Sequence, residues 1–233
     1  MITPSAVTVL PSSMHAQRVA SSRLGLGLLL AATLLLTGCQ TAYYAAWEKL
    51  GYEKRNILAS RVENARDAQT EAREEVVSAL ESFSQAVNYK GGELEKQYRT
   101  FKGKLEASES AAENVRNRVG KVESTATALF EEWKDELDKY ANKSLRDRSK
   151  KQLDETQQRY KRMMAAMKRA RDRLAPALSP LRDQVLFLKH NLNANALASL
   201  KSEVKVVDAQ VDRLIDDIND AVAEANSFIE QIK

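Results

Sequence analysis

The amino-acid sequence predicts an all-α protein, an elongated antiparallel bundle or coiled coil of three or four long helices. Apolar residues recur at alternating steps of three and four, which places them along one face of a helix. The 233 residues include only 8 glycines and 4 prolines. No proline occurs between residues 39 and 176, so nothing in that stretch interrupts a helix. Charged residues make up 29% of the chain, as expected for helices with exposed polar faces.

The first predicted helix ends in a turn at residues 88–92, Asn-Tyr-Lys-Gly-Gly, where the apolar spacing breaks. Gln69 occupies one position of an otherwise apolar seam. A seam of this kind is too narrow to stabilise a lone helix in water and predicts burial against partner helices. The other seam residues are Leu58, Val62, Ala65, Ala72, Val76, Ala79, Phe83 and Val87.

The second predicted helix has the most regular seam, with about six heptads between Leu94 and Leu137. Gly103 and Gly120 interrupt this seam, and each destabilises the helix by about 1 kcal/mol relative to alanine. They predict either a slight bend or a close helix approach. The next turn is predicted at residues 140–144. The seam consists of Leu94, Tyr98, Phe101, Leu105, Ser108, Ala112, Val115, Val119, Val122, Ala126, Leu129, Trp133 and Leu137.

The third predicted helix carries a seam from Leu153 to Leu174, and Pro176 and Pro180 are expected to kink or end it. A fourth helix is predicted from about Leu181 to the end of the chain, with the asparagine-rich residues 191–195 loosening it locally. Short turns between long helices place neighbours antiparallel.

The N-terminal region has the features of a bacterial lipoprotein signal peptide. Two arginines, Arg18 and Arg23, precede a run of 13 mostly apolar residues, 24–36, which is too short to span a bilayer comfortably. The run leads into Leu-Thr-Gly-Cys at 36–39, a lipobox, so we predict cleavage between Gly38 and Cys39 and acylation of Cys39. The predicted organisation is a signal peptide over 1–38, a membrane-proximal tether with the start of the first helix over 39–52, and an elongated helical coiled-coil domain over 53–233.

Two further expectations concern this region. Either Met1 or Met14 is the start, and a start at Met14 gives a 25-residue signal of ordinary length. Gln40 stands where an inner-membrane retention signal would place aspartate. By resemblance to other envelope lipoproteins, this favours the outer membrane, facing the periplasm, over the inner membrane.

Charge is unevenly distributed. Residues 143–173 contain twelve basic and four acidic side chains, whereas 201–233 contain eight acidic and four basic ones. Either a basic helix lies beside acidic helices, or a basic stripe faces lipid phosphates or cell-wall carboxylates. The second alternative predicts anionic-surface contacts from Arg146, Arg148, Lys150, Lys151, Lys161, Arg162, Lys168 and Arg169.

The sequence predicts no catalytic residues, metal site or cofactor. His190 is the only histidine after Cys39, and it is expected on or beside a helix seam rather than in a catalytic triad or metal site. The glycine-lysine pairs at 103–104 and 120–121 are followed by Leu and Val, where a phosphate-binding loop requires Ser or Thr. Met163, Met164 and Met167 are expected to fill the core. Removing residues 1–38 leaves a net charge of +2, too small to favour nucleic acid.

Several short motifs together resemble an uncharacterised family of bacterial lipoproteins, domain of unknown function 2959. The resemblance covers essentially the whole chain after Cys39 and implies a helical envelope lipoprotein, with no activity or binding residues to transfer. The motifs are Tyr-Tyr at 43–44, Glu-Lys-Leu-Gly at 48–51, Lys-Arg at 54–55, Gly-Gly at 91–92, Leu-Phe-Glu-Glu-Trp at 129–133, Leu-Arg at 145–146 and Leu-Lys-His-Asn-Leu-Asn-Ala at 188–194.

The leading functional expectation is a non-enzymatic structural or interaction protein on the periplasmic face of the outer membrane, held by its lipid. Its expected partners are the membrane and an envelope protein or a second copy of the chain. No nucleic acid or small-molecule substrate is expected. Two alternatives stay open: direct binding of anionic lipid or cell-wall polymer through 143–173, and an adaptor role in an envelope transport assembly.

Overall fold

The computed structural model describes residues 54–232, and within them the regular structure is entirely α-helical. The predicted all-α fold is confirmed, with four long helices and one short one. They are α1 (Lys54–Asn88), α2 (Leu94–Leu137), α3 (Lys143–His190), the short α4 (Ala194–Ser199) and α5 (Lys201–Ile232).

The four long helices pack in a ring in which every neighbour is antiparallel. Helix α1 lies between α2 and α5, and α3 lies between the same two helices on the opposite side. Phe83 of α1 stacks on Phe101 of α2 with ring centroids 5.2 Å apart. Helices α1 and α3 therefore face each other diagonally across the core, as in an up-down-up-down bundle.

The predicted seams form the interior of this bundle. All nine seam residues of α1, Gln69 included, are buried. In α2 the seam is buried along most of its length, and Leu94, Tyr98, Ala112 and Trp133 are partly buried. Every long helix thus contributes its apolar face to one continuous core, which is how helices too weak to stand alone become stable.

Both predicted turns are confirmed, although the first lies one residue later, at 89–93, and the second lies two residues earlier, at 138–142. Helix α1 ends at Asn88, and α2 begins at Leu94. Asn142 caps α3 by accepting a hydrogen bond from the backbone N–H of Leu145 at 3.2 Å, a role for which a short polar side chain is well suited.

The position of the break between the third and fourth helices was predicted incorrectly. Helix α3 continues through Pro176 and Pro180 and ends at His190, so residues 181–190 belong to it. Pro176 is exposed and Pro180 is half-buried, so they lie away from the centre of the core. Burial of Leu174, Leu178 and Leu181, on both sides of the prolines, offsets the lost backbone hydrogen bonds.

The break lies instead in the asparagine-rich stretch. Asn191 terminates α3, with its backbone N–H donating to the carbonyl oxygens of Leu188 and Phe187. Asn193 then caps α4 by accepting a hydrogen bond from the backbone N–H of Ala196 at 3.0 Å. Asparagine side chains mimic the backbone at such ends, so local capping places the break where the prolines do not.

The close helix approach that was one expectation for Gly103 and Gly120 is not found. Both glycines lie inside α2 and are exposed. A Cβ atom added at either position would meet no atom within 4 Å. No neighbouring helix therefore requires glycine there.

Gln69 is a buried amide in an apolar layer of the bundle. Its side chain is fully buried, and its Nε2 donates a 3.0 Å hydrogen bond to the backbone carbonyl of Met167 in α3. Among the residues that the structure describes, its Oε1 has no hydrogen-bond partner. The bond joins the two diagonal helices, and such a buried polar contact favours one helix register at a cost in stability.

Gly103→Ala and Gly120→Ala should each raise the free energy of unfolding by about 0.5–1 kcal/mol, because alanine favours the helix and meets no clash. Urea unfolding followed by circular dichroism at 222 nm measures this change. A loss of stability in either variant would show that the helix needs glycine for packing.

Gln69→Leu should raise the free energy of unfolding by about 1 kcal/mol, because it removes a buried acceptor without a partner and retains the side-chain volume. Gln69→Glu is the matched control, and it should destabilise the bundle by burying a charge. The same urea titration measures both. If leucine proves as destabilising as glutamate, the amide contributes more than its single hydrogen bond.

Candidate functional site: the basic face of helix α3

The eight basic residues predicted to contact an anionic surface all lie on α3. Seven of the eight are exposed, and Lys168 is half-buried. They differ in their ionic partners. The half of the helix nearer its C-terminus is tied to its neighbours by ion pairs, and the half nearer its N-terminus is largely free of them.

The paired group joins α3 to both adjacent helices. Lys168 Nζ lies 2.6 Å from Glu123 Oε1 of α2, and Arg169 lies 4.0 Å from Asp220 of α5. Two arginines that the prediction left out do the same, because Arg173 pairs with Asp217 and Arg182 pairs with Glu109. The spacing of basic residues along one helix does not reveal these partners, which belong to other helices.

The alternative in which the basic helix lies beside acidic helices therefore holds for residues 168–182. There the basic helix lies beside acidic positions of its neighbours and is balanced by them. Arg171 also donates to Asp172 at 2.8 Å and holds the pKa of that carboxyl below its usual value. Exposed pairs of this kind contribute about 0–1 kcal/mol each, so they matter more for charge balance and register than for stability.

The free group lies between residues 148 and 162. Within residues 54–232, the structure shows no ion pair for Arg148, Lys150, Lys161 or Arg162, and all four side chains are exposed. Lys151 has only a long contact of 3.9 Å to Glu155 in its own helix. Arg146 pairs with Asp138 at 3.1 Å. This half of α3 consequently presents uncompensated positive charge to solvent.

Tyr160 anchors this half of α3 to the bundle. Its ring packs edge-on against Phe130 of α2, with centroids 5.3 Å apart, and is tilted against Phe228 of α5 at 6.3 Å. Burial of the phenol, helped by the negative charge of Glu123, raises the pKa of Tyr160 to about 12. The tyrosine is thus a neutral packing residue that holds this half of α3 against α2 and α5.

The methionines and the histidine of this helix have structural positions. Met163, Met164 and Met167 are buried, as predicted for core residues. His190 is the last residue of α3 and is exposed, so it lies off the buried seam. Across residues 54–232, no three His, Cys, Asp or Glu side chains come together in a way that could hold a metal ion.

The concave features near α3 are open grooves. One of about 360 Å³ lies where the two prolines face α5 and is lined by Pro176, Pro180, Gln210 and Arg213, among others. Another, of about 560 Å³, lies over the first turns of α3 and includes Lys143, Arg148 and Lys151. The second groove lies within the free half of the basic face.

The predicted cleavage and acylation site, Gly38 and Cys39, lies outside the described residues, as do the signal peptide and the tether. Among the helices that the structure does describe, none is both long enough and apolar enough to cross a membrane.

One comparison with known proteins identifies a family. The model of the family described as "Protein of unknown function (DUF2959)" matches residues 43–232. The chain belongs to this family. The predicted resemblance is therefore confirmed, and the DUF2959 match covers every helix described above. A search of curated proteins found no match.

In the Tyr160→Phe variant, the free energy of unfolding should fall less steeply as the pH rises from about 10 to about 12. The folded-state pKa of about 12 exceeds the ordinary value of about 10, so the neutral phenol stabilises the fold fully below about pH 10. That contribution is lost as the pH rises from about 10 to about 12. Urea unfolding over this pH range measures the slope.

Tyr140→Phe provides the matched control for this measurement, because Tyr140 is an exposed tyrosine in the connection between α2 and α3. Its removal should leave the slope unchanged. Equal slopes for both variants and the unmodified chain would contradict the role assigned to Tyr160.

Proposed function

We propose that this DUF2959 protein is an exported lipoprotein with a structural or interaction role in the cell envelope. Cleavage before Cys39 and acylation of its thiol and freed amine anchor the chain in the outer membrane, facing the periplasm. The four-helix body then presents its charged outer faces to an envelope protein or to a second copy of itself. It performs no catalysis.

The observation that carries this proposal is the order of features in the first 39 residues. Basic residues, a short apolar run, two small residues and a cysteine follow one another as lipoprotein processing requires. Cys39 is also the only cysteine of the chain. Several acyl chains, each stabilised by about 0.8 kcal/mol per buried CH₂, make a durable anchor.

The arrangement of the body supports a binding rather than a chemical role. Within the described helices, the buried side chains of Gln69 and Ser108 donate hydrogen bonds to backbone carbonyls of other helices and so serve packing. The charged side chains lie mainly on the outside, and many of them form ion pairs between or along helices. Long exposed helix faces of this kind suit recognition of another surface.

A second candidate function is supported by one specific observation. The free cations of α3 between Arg148 and Arg162 favour direct binding of an anionic lipid or cell-wall polymer by this part of the predicted 143–173 stripe. The paired cations from Lys168 onward do not favour it, because their charge is already balanced.

The anchor is tested by the mass of the mature protein extracted from membranes. The expected mass is that of residues 39–233 plus the acyl groups on Cys39. Cys39→Ser should abolish both processing and acylation, because serine offers no thiol. A mature protein that lacks acyl groups, or that stays in the cytoplasm, would overturn the proposal.

Membrane choice is tested in the same material by Gln40→Asp, which should move the protein from the outer to the inner membrane fraction. Gln40→Asn is the matched control, since it keeps the size of aspartate without its charge, and it should leave the protein in the outer membrane. Recovery of the unmodified protein from the inner membrane would contradict the assignment.

A further inference from the structure

The connection between α2 and α3 forms an exposed projection, which we call the hairpin tip and define as residues 138–152. Not one of these fifteen residues is buried. The first buried side chain of α3 is Leu153, ten residues into the helix. The helix therefore begins outside the core and enters it only after nearly three turns.

The tip is uncovered because α1 and α5, the helices on either side of the α2–α3 hairpin, do not reach as far as it does. Lys54 at the start of α1 pairs with Glu132 of α2 at 2.8 Å, and Trp133 Nε1 donates to Ser149 Oγ of α3 at 2.9 Å. Both α2 and α3 extend beyond this level. On the other side, Tyr160 lies level with Phe228 of α5, so roughly 20 Å of α3 extends past Ile232.

The charge of the hairpin tip is positive. It holds six basic and two acidic side chains, and one of the acids, Asp138, is neutralised by Arg146. The last turn of α2 adds Asp135 and Glu136, which leaves a net charge of +2 for residues 135–152. The basic residues are Lys139, Lys143, Arg146, Arg148, Lys150 and Lys151.

Two large apolar side chains are exposed on the same projection. Tyr140 is 41% exposed and Leu145 is 45% exposed. Water is an unfavourable environment for such side chains, whereas the interface of a bilayer accepts both their apolar part and the neighbouring cations. The combination of cations with tyrosine and leucine fits a headgroup surface better than a purely charged polymer.

The hairpin tip also lies at the end of the bundle where the chain enters it. Helix α1 begins at Lys54, level with Glu132. Only fourteen residues separate Lys54 from Cys39, a reach of at most roughly 50 Å. A short tether gives a nearby surface a high effective concentration, so weak contacts become sufficient.

We propose that the hairpin tip docks on the anionic phospholipid surface of the membrane to which Cys39 anchors the chain, with Tyr140 and Leu145 at the interface and the lysines and arginines against phosphates. This inference rests on the proposed acylation of Cys39. It limits the membrane-contacting part of the predicted 143–173 stripe to about its first third and adds Tyr140 and Leu145 as apolar contacts. In this orientation the α4 end of the bundle points away from the bilayer.

The test uses the acylated protein, reconstituted into vesicles of phosphatidylcholine alone or mixed with phosphatidylglycerol. Acylation occupies the thiol of Cys39, so Leu145→Cys supplies the only free thiol for a fluorescent label. Val206→Cys is the matched control, because Val206 is 51% exposed and lies near the start of α5, at the opposite end. Lipids that carry a nitroxide should quench the Leu145→Cys label and not the Val206→Cys label.

Charge dependence separates lipid docking from simple proximity. Quenching at position 145 should be stronger in vesicles that contain phosphatidylglycerol. The equilibrium constant for docking, obtained from this quenching, should fall about fivefold for each cation that Lys143→Gln, Lys150→Gln or Lys151→Gln removes. The control triple variant, Lys104→Gln with Lys121→Gln and Lys205→Gln, removes the same charge from exposed positions elsewhere and should change nothing.

Failure of the tip and failure of the anchor give different results. Acylated protein whose two labels are quenched equally in anionic vesicles overturns tip docking and leaves the anchor intact. Tip docking is also overturned if the thiol of Leu145→Cys is protected from labelling in cells but not in vesicles. That result indicates a protein partner. If Cys39 proves unacylated, the anchor fails. The tip is then supported or overturned by quenching in a Cys39→Ser background on added anionic vesicles.

Discussion

Burial of four narrow apolar seams against one another is the constraint on which the rest of this structure depends. A single helix with one such stripe gains too little from its own hydrogen bonds to persist in water. Packed as a ring, the helices remove residues such as Phe83, Phe101 and Leu214 from solvent. This shared core also carries α3 past two prolines, because the loss of local hydrogen bonds is smaller than the gain from burial on either side.

Polar contacts decide how the seams fit together. An apolar stripe tolerates several registers, whereas the bond from Gln69 to the Met167 carbonyl and the ion pairs from α3 to α2 and α5 are satisfied in only one. The surface pairs add little stability singly. Their effect is to fix which outer faces are neutral and which keep free charge.

That division gives the basic helix two roles along its length. Between Lys168 and Arg182 its cations pair with acids of the bundle, and between Arg148 and Arg162 they face solvent. The proposed anchor at Cys39 and the exposed hairpin tip fit one picture, in which the lipid holds the chain and the tip sets its orientation. The faces of the bundle farther from the membrane are then available to a partner in the envelope.

The sequence by itself determined the helical class, the seam residues and two of the three breaks, because side-chain periodicity and glycine-rich or asparagine-rich turns are local properties. It also predicts a lipobox, which is a linear signal and lies outside the described residues. Only the tertiary structure decided that Pro176 and Pro180 lie within a helix, that Gly103 and Gly120 meet no neighbour, and which cations of α3 remain free. These outcomes depend on residues distant in sequence, whose positions are fixed when the four seams pack.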